Sequence, residues 1–448
     1  MTKKLLPVKK VGGTITVPGD KSIAHRAALL SILSKGPLTI KNFPDAADCQ
    51  MSLAAARRFG VNVEEVGDTL VLRPPEKPSV ETDAIVDCGN SGTTARLLAG
   101  IVAGSDGLTV TLSGDESLSR RPMKRIIDPL SEMGAEFFAD DGHLPMKISG
   151  KRLLPFEYRL PLASAQVKSA ILLAGMASSC SVTVREDIPS RDHTERMIQS
   201  LGEGLTARKV TPLIVPDPDD PRKKRREMPE SFKREVVLSS RGRINGGTVD
   251  IPGDFSTAAF FFAAAAISKK TITVESVGLN PTRTGFLEHL RLIGCTVETA
   301  GKVTVGGEPR GKVTITGAPL RARKLSGETV TGLLDELPIV AVMAAFSEGT
   351  TIIRDASELK VKESDRLMAV ADNLKRMGVK CGLLDDGLVI EGGKDLSGAD
   401  FRVFGDHRIA MAFSVASLFL VGPSTIDDHS VVTVSCPGFY DLLNSISQ

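Results

Sequence analysis

Apolar residues along the chain gather into six dense blocks. They begin near Lys21, Ser91, Ser164, Ser256, Leu333 and His407, a spacing of roughly 70 to 90 residues. Each block is rich in alanine and apolar on all sides, as in "AAFFFAAAAIS" from Ala258. A helix with no polar face belongs inside a core. Most blocks are followed by a glycine or small polar turn and a β-branched strand: "GPLTIKN" from Gly36, "GLTVTLSG" from Gly107, "SVTVRE" from Ser181, "TITVESVG" from Thr271 and "GTTIIRD" from Gly349. A second helix comes next. In five copies it stops at a glycine (Gly60, Gly134, Gly202, Gly294 and Gly378), which predicts a left-handed C-cap. Alternating segments such as "NVEEVGDTLVLRP" and "TVETAGKVTVGG" then predict hairpins turning at glycine.

The pattern predicts an α/β fold of six imperfect repeats, three around buried helices in each half. Periodicity alone does not separate this from a layered α/β sandwich. "GGTITVPGD" from Gly12 and "GGTVDIPGD" from Gly246 stand at equivalent points of the two halves. Each predicts a turn carrying the chain between halves. The expected division is 21–250 for one lobe, with 1–20 and 251–448 forming the other. The two copies differ in one respect. The first opens its helix with Lys21, Ser22, His25 and Arg26, the second with Phe255, Ser256 and Thr257.

Composition narrows the function classes. The chain has 448 residues and a formal net charge of only +2, which argues against a nucleic-acid or membrane footprint. Its six cysteines show no CxxC pair and no histidines at ligand spacing, so buried reduced thiols are expected and a metal site is not. Met1–Pro7 carries lysines without a following apolar segment, and the longest apolar run, Ala258–Ile267, is too short to span a bilayer. A cytoplasmic protein is expected. Residues 216–235, "PDPDDPRKKRREMPESFKRE", break the pattern and read as a solvated charged loop.

Candidate chemistry lies in cations recurring near helix starts: Lys21, Arg26, Arg96, Arg120, Arg121, Lys124, Lys168, Arg191, Lys362, Arg366 and Arg408. Scattered cations often serve solubility. Lys21 and Arg408, however, adjoin otherwise apolar helices, which favours anion binding by guanidinium forks and free helix amides. "GNSGTTAR" adds small residues that admit a ligand to the backbone, though it is neither GxGxxG nor a P-loop. Asp48, Asp115, Asp335, Glu336, Glu363, Asp365 and Asp406 stand beside these cations as proton-transfer candidates or as helix caps. Of the histidines, His407 is expected to reach a pocket before His25.

Eight stretches in order resemble the enolpyruvyl transferases, in the branch acting on shikimate 3-phosphate: "PGDKSIAHR", "GNSGTTAR", "SGDESLSRRPM", "PLASAQVKSA", "SRDHTERM", "DELP", "KVKESDR" and "GDHRIAM". The resemblance implies a two-domain inside-out α/β fold with three βαβαββ repeats per domain. It implies transfer of the enolpyruvyl group of phosphoenolpyruvate to the 5-hydroxyl of shikimate 3-phosphate, through a non-covalent tetrahedral intermediate and without metal or organic cofactor. By the same resemblance Lys21, Ser22, Arg26, Ser164, Ala165, Gln166, Arg191, Asp335 and Lys362 hold shikimate 3-phosphate. Lys21, Gly92, Arg121, Gln166, Arg366 and Arg408 hold phosphoenolpyruvate, and Lys21, Asp335 and Glu363 are catalytic. The first lobe is expected to carry the phosphoshikimate residues, the second the phosphoenolpyruvate and acid–base residues.

This chain departs from the family pattern in two places. Alanine at 165 replaces a common serine, and Val434 stands where some relatives have a lysine. The sister enzyme acting on UDP-N-acetylglucosamine usually has a reactive cysteine before its Arg-Pro, whereas "GDESLSRRP" has no thiol. A monomer is expected, with no nucleic-acid or membrane partner. Sensitivity to glyphosate, which competes with phosphoenolpyruvate in the family, is expected from the space left by Gly92.

Overall fold

The computed structural model describes residues 1–81, 83–216, 224–393 and 395–447. Six helices match the six apolar blocks: Lys21–Leu30, Gly92–Gly104, Ala165–Ala177, Phe255–Ser268, Leu337–Ala345 and His407–Ser417. Side-chain oxygens at their N-caps start most of them. Asp20 accepts from the Ile23 amide at 3.0 Å, Asp254 from Thr257 at 2.7 Å and Ser91 from Thr94 at 3.2 Å. The fifth block starts later than its apolar pattern. Residues 333–336 form turns, and Pro338, which has no amide to donate, sits in the first helical turn.

Around these helices lie sheets of one recurring order. In the first, Gly247–Asp250 pairs parallel with Leu38–Lys41, which pairs antiparallel with Thr69–Arg73, and that in turn with Asn62–Val66. Four other four-stranded sheets repeat this arrangement, each closing with an antiparallel hairpin. A three-stranded sheet joins Lys3–Leu5, Ser424–Ile426 and Asp400–Phe401. The strand, helix, strand, helix, hairpin unit is therefore physically real, and the layered sandwich is not what forms. The helices lie innermost because they have no polar face to give to water, whereas the strands alternate.

The buried side chains fall into two clusters. One runs from Ile23 to Ile251. The other joins Leu5, Val11, Ile15 and Val17 to residues from Phe255 onward. We call them the first and second core. Phe260, Phe261 and Phe262 are almost wholly buried in the second core, each contributing on the order of 2–3 kcal/mol of apolar burial. The chain passes between cores twice, at Val17–Asp20 and Ile251–Asp254, and the two passages lie against each other. Asp20 N donates to Pro252 O and Asp254 N to Pro18 O, both at 2.8 Å. A Cβ on Gly19 would meet Asn42 O at 2.1 Å, so only glycine allows this approach.

Three local expectations need correction. Gly60, Gly134, Gly294 and Gly378 take positive φ as C-caps, but Gly202 is extended. It opens the next strand, where a Cβ would lie 1.8 Å from Arg243 O, so close approach and not handedness demands glycine. "TVETAGKVTVGG" does not turn at Gly301. It is one strand, Thr296–Val305, with an irregularity between Ala300 and Val303, and the chain reverses at Gly306 and Gly307. The charged segment is not all loop: Leu213–Pro216 pairs antiparallel with Lys224–Glu227, and the strand Arg234–Ile244 begins within it. Residues 217–223 of that segment lie outside the described residues. All six cysteines are free. Among the described residues no helix is long and apolar enough to cross a membrane.

Candidate active site between the two cores

The N-terminal ends of Lys21–Leu30, Gly92–Gly104 and Ala165–Ala177 open onto one cavity of about 450 Å³, and the second core supplies its opposite wall. Helix N-termini carry unpaired amides and a positive dipole end, so three of them make the first wall attractive to anions. Lining this one cavity are Lys21, Ser22, Arg26, Gly92, Arg121, Ser164, Ala165, Gln166 and Arg191. Facing them are Asp335, Lys362, Glu363, Arg366 and Arg408. Every residue to which the family resemblance gives a substrate-binding or catalytic role is present.

The side chains hold one another in place. On the first wall, Lys21 Nζ lies 2.8 Å from Asp48 Oδ2. Arg26 donates to Thr194 Oγ1 at 2.7 Å, to Ser22 O at 2.8 Å and to Ser169 Oγ at 3.2 Å. Arg96 donates to Gln166 Oε1 at 2.9 Å, and Gln166 Nε2 to Thr93 Oγ1 at 3.0 Å. Arg121 is fixed by Asn90 Oδ1 at 2.6 Å. On the second wall, Arg366 meets Asp406 at 2.8 Å and Glu363 at 2.6 Å. Arg408 donates to Asp335 O at 3.0 Å. Contacts also cross the cavity: Arg191 to Asp335 at 2.6 Å, Arg125 to Glu358 at 3.3 Å and Arg121 to Glu363 at 3.9 Å.

These pairings set the protonation states. Burial alone would raise the Asp335 carboxyl, but Arg191, Arg408, Lys362 and Arg366 hold it well below the usual carboxylate range. Glu363 is likewise opposed by burial and held well below by Arg366, Arg121, His407 and Lys21. Burial disfavours the Lys21 ammonium, yet Asp48 and Glu363 outweigh it and its pKa is raised. Burial pushes Lys362 down, only partly offset by Asp335. Burial with Arg125 and Arg121 close by brings Arg96 down to about 9. The site therefore holds two ionised carboxylates among cations crowded enough to destabilise one another, a state that incoming anions would relieve.

Not every candidate belongs here. His407 is buried beside the cavity without lining it, and burial with Lys21 nearby keeps it well below its ordinary pKa. His25 is bound to Ser52 Oγ at 2.8 Å inside the first core. Lys168 lies 2.8 Å from both Glu186 and Glu195 in a fully buried network. Arg120 is exposed and pairs with Glu116, while Lys124 is exposed and does not line the cavity. Asp115, Asp365 and Asp406 cap helices. No residue of His429–Val434 lines the cavity, so Val434 leaves no cation on the wall from that segment. By the roles the resemblance implies, residues for each substrate stand on both cores. Gly92 and Arg121 stand on the first core, Asp335 and Lys362 on the second. Arg125 and Glu358 were missed by sequence reasoning. Nothing in "RRPMKR" distinguishes Arg125 from Lys124 until the helical register of Lys124–Glu132 is known.

The architecture and its interdomain cavity define an enolpyruvyl-transferase fold. The enolpyruvyl transferase NikO from Streptomyces tendae matches with a TM-score of 0.73 over 99% of this chain and 96% of its own, and at 17% identity that likeness shows the fold alone. The family model for EPSP synthase (3-phosphoshikimate 1-carboxyvinyltransferase) matches residues 5–225 and 231–443, and the chain belongs to that family. It is 41% identical over 445 residues to the 3-phosphoshikimate 1-carboxyvinyltransferase of Desulforamulus reducens, covering 98% of each chain. EPSP synthase from Acinetobacter baumannii superimposes with a TM-score of 0.82 at 35% identity, covering 100% of this chain and 98% of that one.

Proposed function

We propose that this cavity transfers the enolpyruvyl group of phosphoenolpyruvate to the 5-hydroxyl of shikimate 3-phosphate, releasing phosphate through a tetrahedral intermediate not attached to the enzyme. One observation carries the reading. Cations distant in sequence, together with three helix N-termini, converge on a single cavity containing two ionised carboxylates. Two multiply charged anions repel each other, and such a wall offsets that repulsion.

Each residue then has a task. Ser22, Arg26, Ser164, Ala165, Gln166, Arg191 and Lys362 hold shikimate 3-phosphate. The Ser164 hydroxyl also caps its helix, accepting from Val167 N at 3.4 Å. Gly92, Arg121, Gln166, Arg366 and Arg408 hold phosphoenolpyruvate, and Lys21 touches both substrates. Asp335, kept deprotonated, takes the proton of the attacking 5-hydroxyl. That oxygen bonds to C2 of phosphoenolpyruvate while Glu363 supplies a proton to its methylene carbon. Glu363 is ionised beside the Arg366 and Arg121 guanidiniums. A bound phosphate and carboxylate compete for Arg121 and Arg366, raise the Glu363 pKa and let it carry that proton. Collapse of the intermediate returns a proton from the new methyl group to the Glu363 carboxylate, re-forms the C2–C3 double bond and expels phosphate.

The two cores act as the two lobes, 21–250 against 1–20 with 251–448, and one chain supplies both walls, so a monomer suffices. Multiply charged substrates do not cross bilayers unaided, which supports a reaction in the compartment that makes them, read here as the cytoplasm.

Phosphate release from the two substrates tests the reading. It should require shikimate 3-phosphate, should not proceed when UDP-N-acetylglucosamine replaces it, and should be lost in Arg121→Ala with the fold intact. Undiminished release by that variant would refute the site.

A further inference from the structure

The segment Arg191–Arg196 does several things within little more than one helical turn. Arg191 reaches into the cavity. Thr194 Oγ1 receives Arg26 Nε at 2.7 Å. Between them, Asp192 and His193 turn the other way, into the second core. His193 Nδ1 lies 2.8 Å from Glu308 Oε1, and the two side chains are 2% and 3% exposed. Asn280 Nδ2 donates both to Asp192 Oδ1 at 2.7 Å and to Glu308 Oε2 at 3.1 Å. Thr282 Oγ1 donates to Asp192 Oδ1 at 3.3 Å, and Arg196 Nη1 to Gly307 O at 3.3 Å. The backbones touch as well: a Cβ on Gly307 would lie 2.6 Å from Arg196 O.

We propose that this buried Asp192–His193–Asn280–Glu308 contact is a positioning device for the shikimate 3-phosphate end of the cavity. It fixes Arg191 of the first core against the second core at the height of Asp335. The proposal rests on the reading of Arg191 as a phosphoshikimate contact. Glu308 is a nearly inaccessible carboxylate whose hydrogen-bonding partners are His193 and Asn280, so sliding one core over the other here would strand a charge. The neighbouring cross-cavity pair of Arg125 with Glu358 is about a third exposed and lacks this stiffness. Arg191 is thereby tied to the opposite core by a buried polar network as well as by its own pairing with Asp335. His193 and Glu308 act through Arg191 and do not line the cavity.

The test measures KM for each substrate, kcat and thermal midpoint for Asn280→Ala, Glu308→Ala, Glu308→Gln and Arg191→Ala. Asn280→Ala and Glu308→Ala should raise KM for shikimate 3-phosphate about tenfold, with kcat and the KM for phosphoenolpyruvate within about threefold. Glu308→Gln, which keeps the shape and an acceptor, should restore most of the loss. Should Glu308→Ala fail to fold, Asn280→Ala decides, since it strands a smaller group. An unchanged KM for shikimate 3-phosphate in folded Asn280→Ala overturns the proposal. So does a fall in kcat and a rise in both KM values that merely follows the thermal midpoint. Arg191→Ala separates the two layers. If it raises KM for shikimate 3-phosphate and Asn280→Ala does not, only the positioning device fails. If Arg191→Ala leaves that KM unchanged, the reading of the site fails first.

Discussion

The two Pro-Gly-Asp turns are built alike and used differently. Both carry the chain between cores, both cap a buried helix with aspartate, and each donates a backbone amide to the other. At the first, Lys21 follows the cap, pairs with Asp48 and faces the cavity. At the second the helix starts with Phe255 and Ser256, both buried. The charge there comes from elsewhere. Arg283 donates to Ser256 Oγ at 2.7 Å and lies 3.5 Å from Asp20, while Ser256 also binds Glu336. One crossing thus presents its cation to solvent-reachable space and the other seals one inside. A duplicated element kept its backbone, because the crossing requires it, and diverged in side chains, because only one helix start borders the cavity.

Adjacent acids show the same division. Asp335 lines the cavity and is held well below the carboxylate range, against burial, by Arg191, Arg408, Lys362 and Arg366. Glu336 faces inward. Burial raises its pKa, and Arg283 only partly counters this. One step along the chain separates the proposed catalytic base from a buried structural acid.

Exchanging the roles of the two crossings should fail asymmetrically. Lys21→Met is expected to lower kcat on the order of 10³-fold, as loss of a charge acting on the reacting groups does, with little change in thermal midpoint. Steady-state phosphate release beside a melting curve reads both, and a variant keeping more than a tenth of wild-type turnover would contradict the role given to Lys21. Arg283→Met should do the reverse. It strands Asp20 and Glu336 and should cost about 3 kcal/mol of stability by urea titration, while kcat stays within a few-fold. Equal losses of activity in the two variants would erase the distinction between crossings.

The acids give a pH dependence of smaller size. Asp335 and Glu363 have depressed folded pKa values, so their contribution is fully present above the unfolded carboxylate range, about 4, and is lost as pH falls through the folded values. Glu336 has the opposite sign: its raised pKa costs stability at neutral pH and the cost is relieved on acidification. Urea midpoints should therefore fall with acid in the native chain and fall less in Asp335→Asn. Parallel curves would show that the cavity cations do not hold Asp335 as described.

Gly92→Ala should have the smallest effect. Its Cβ would lie 2.9 Å from Arg96 Nη1 and 3.4 Å from Arg121 Nη1, flexible ends that can yield. KM for phosphoenolpyruvate should rise about threefold, by loss of uniform binding, and inhibition by glyphosate should weaken by a larger factor. Equal weakening of both would place the methyl against their shared part and not against the inhibitor.

The apolar blocks, their spacing and the paired Pro-Gly-Asp turns determined six buried helices, the repeat and the crossings. These follow from local causes: helices without a polar face seek the interior, and proline with glycine breaks a strand. Motif order determined which cations and acids to examine. Side-chain direction was decided only in three dimensions. Lys168 and Lys21 both stand near the start of an apolar helix, yet one is locked between Glu186 and Glu195 and the other faces the cavity. Arg125 could not be told from Lys124, nor the inward Glu336 from the outward Asp335, because a single residue of helical or turn register reverses the direction. The contact of His193 with Glu308 joins residues 115 positions apart. Local propensity contains nothing of such a pairing, since it exists only where two independently packed cores meet.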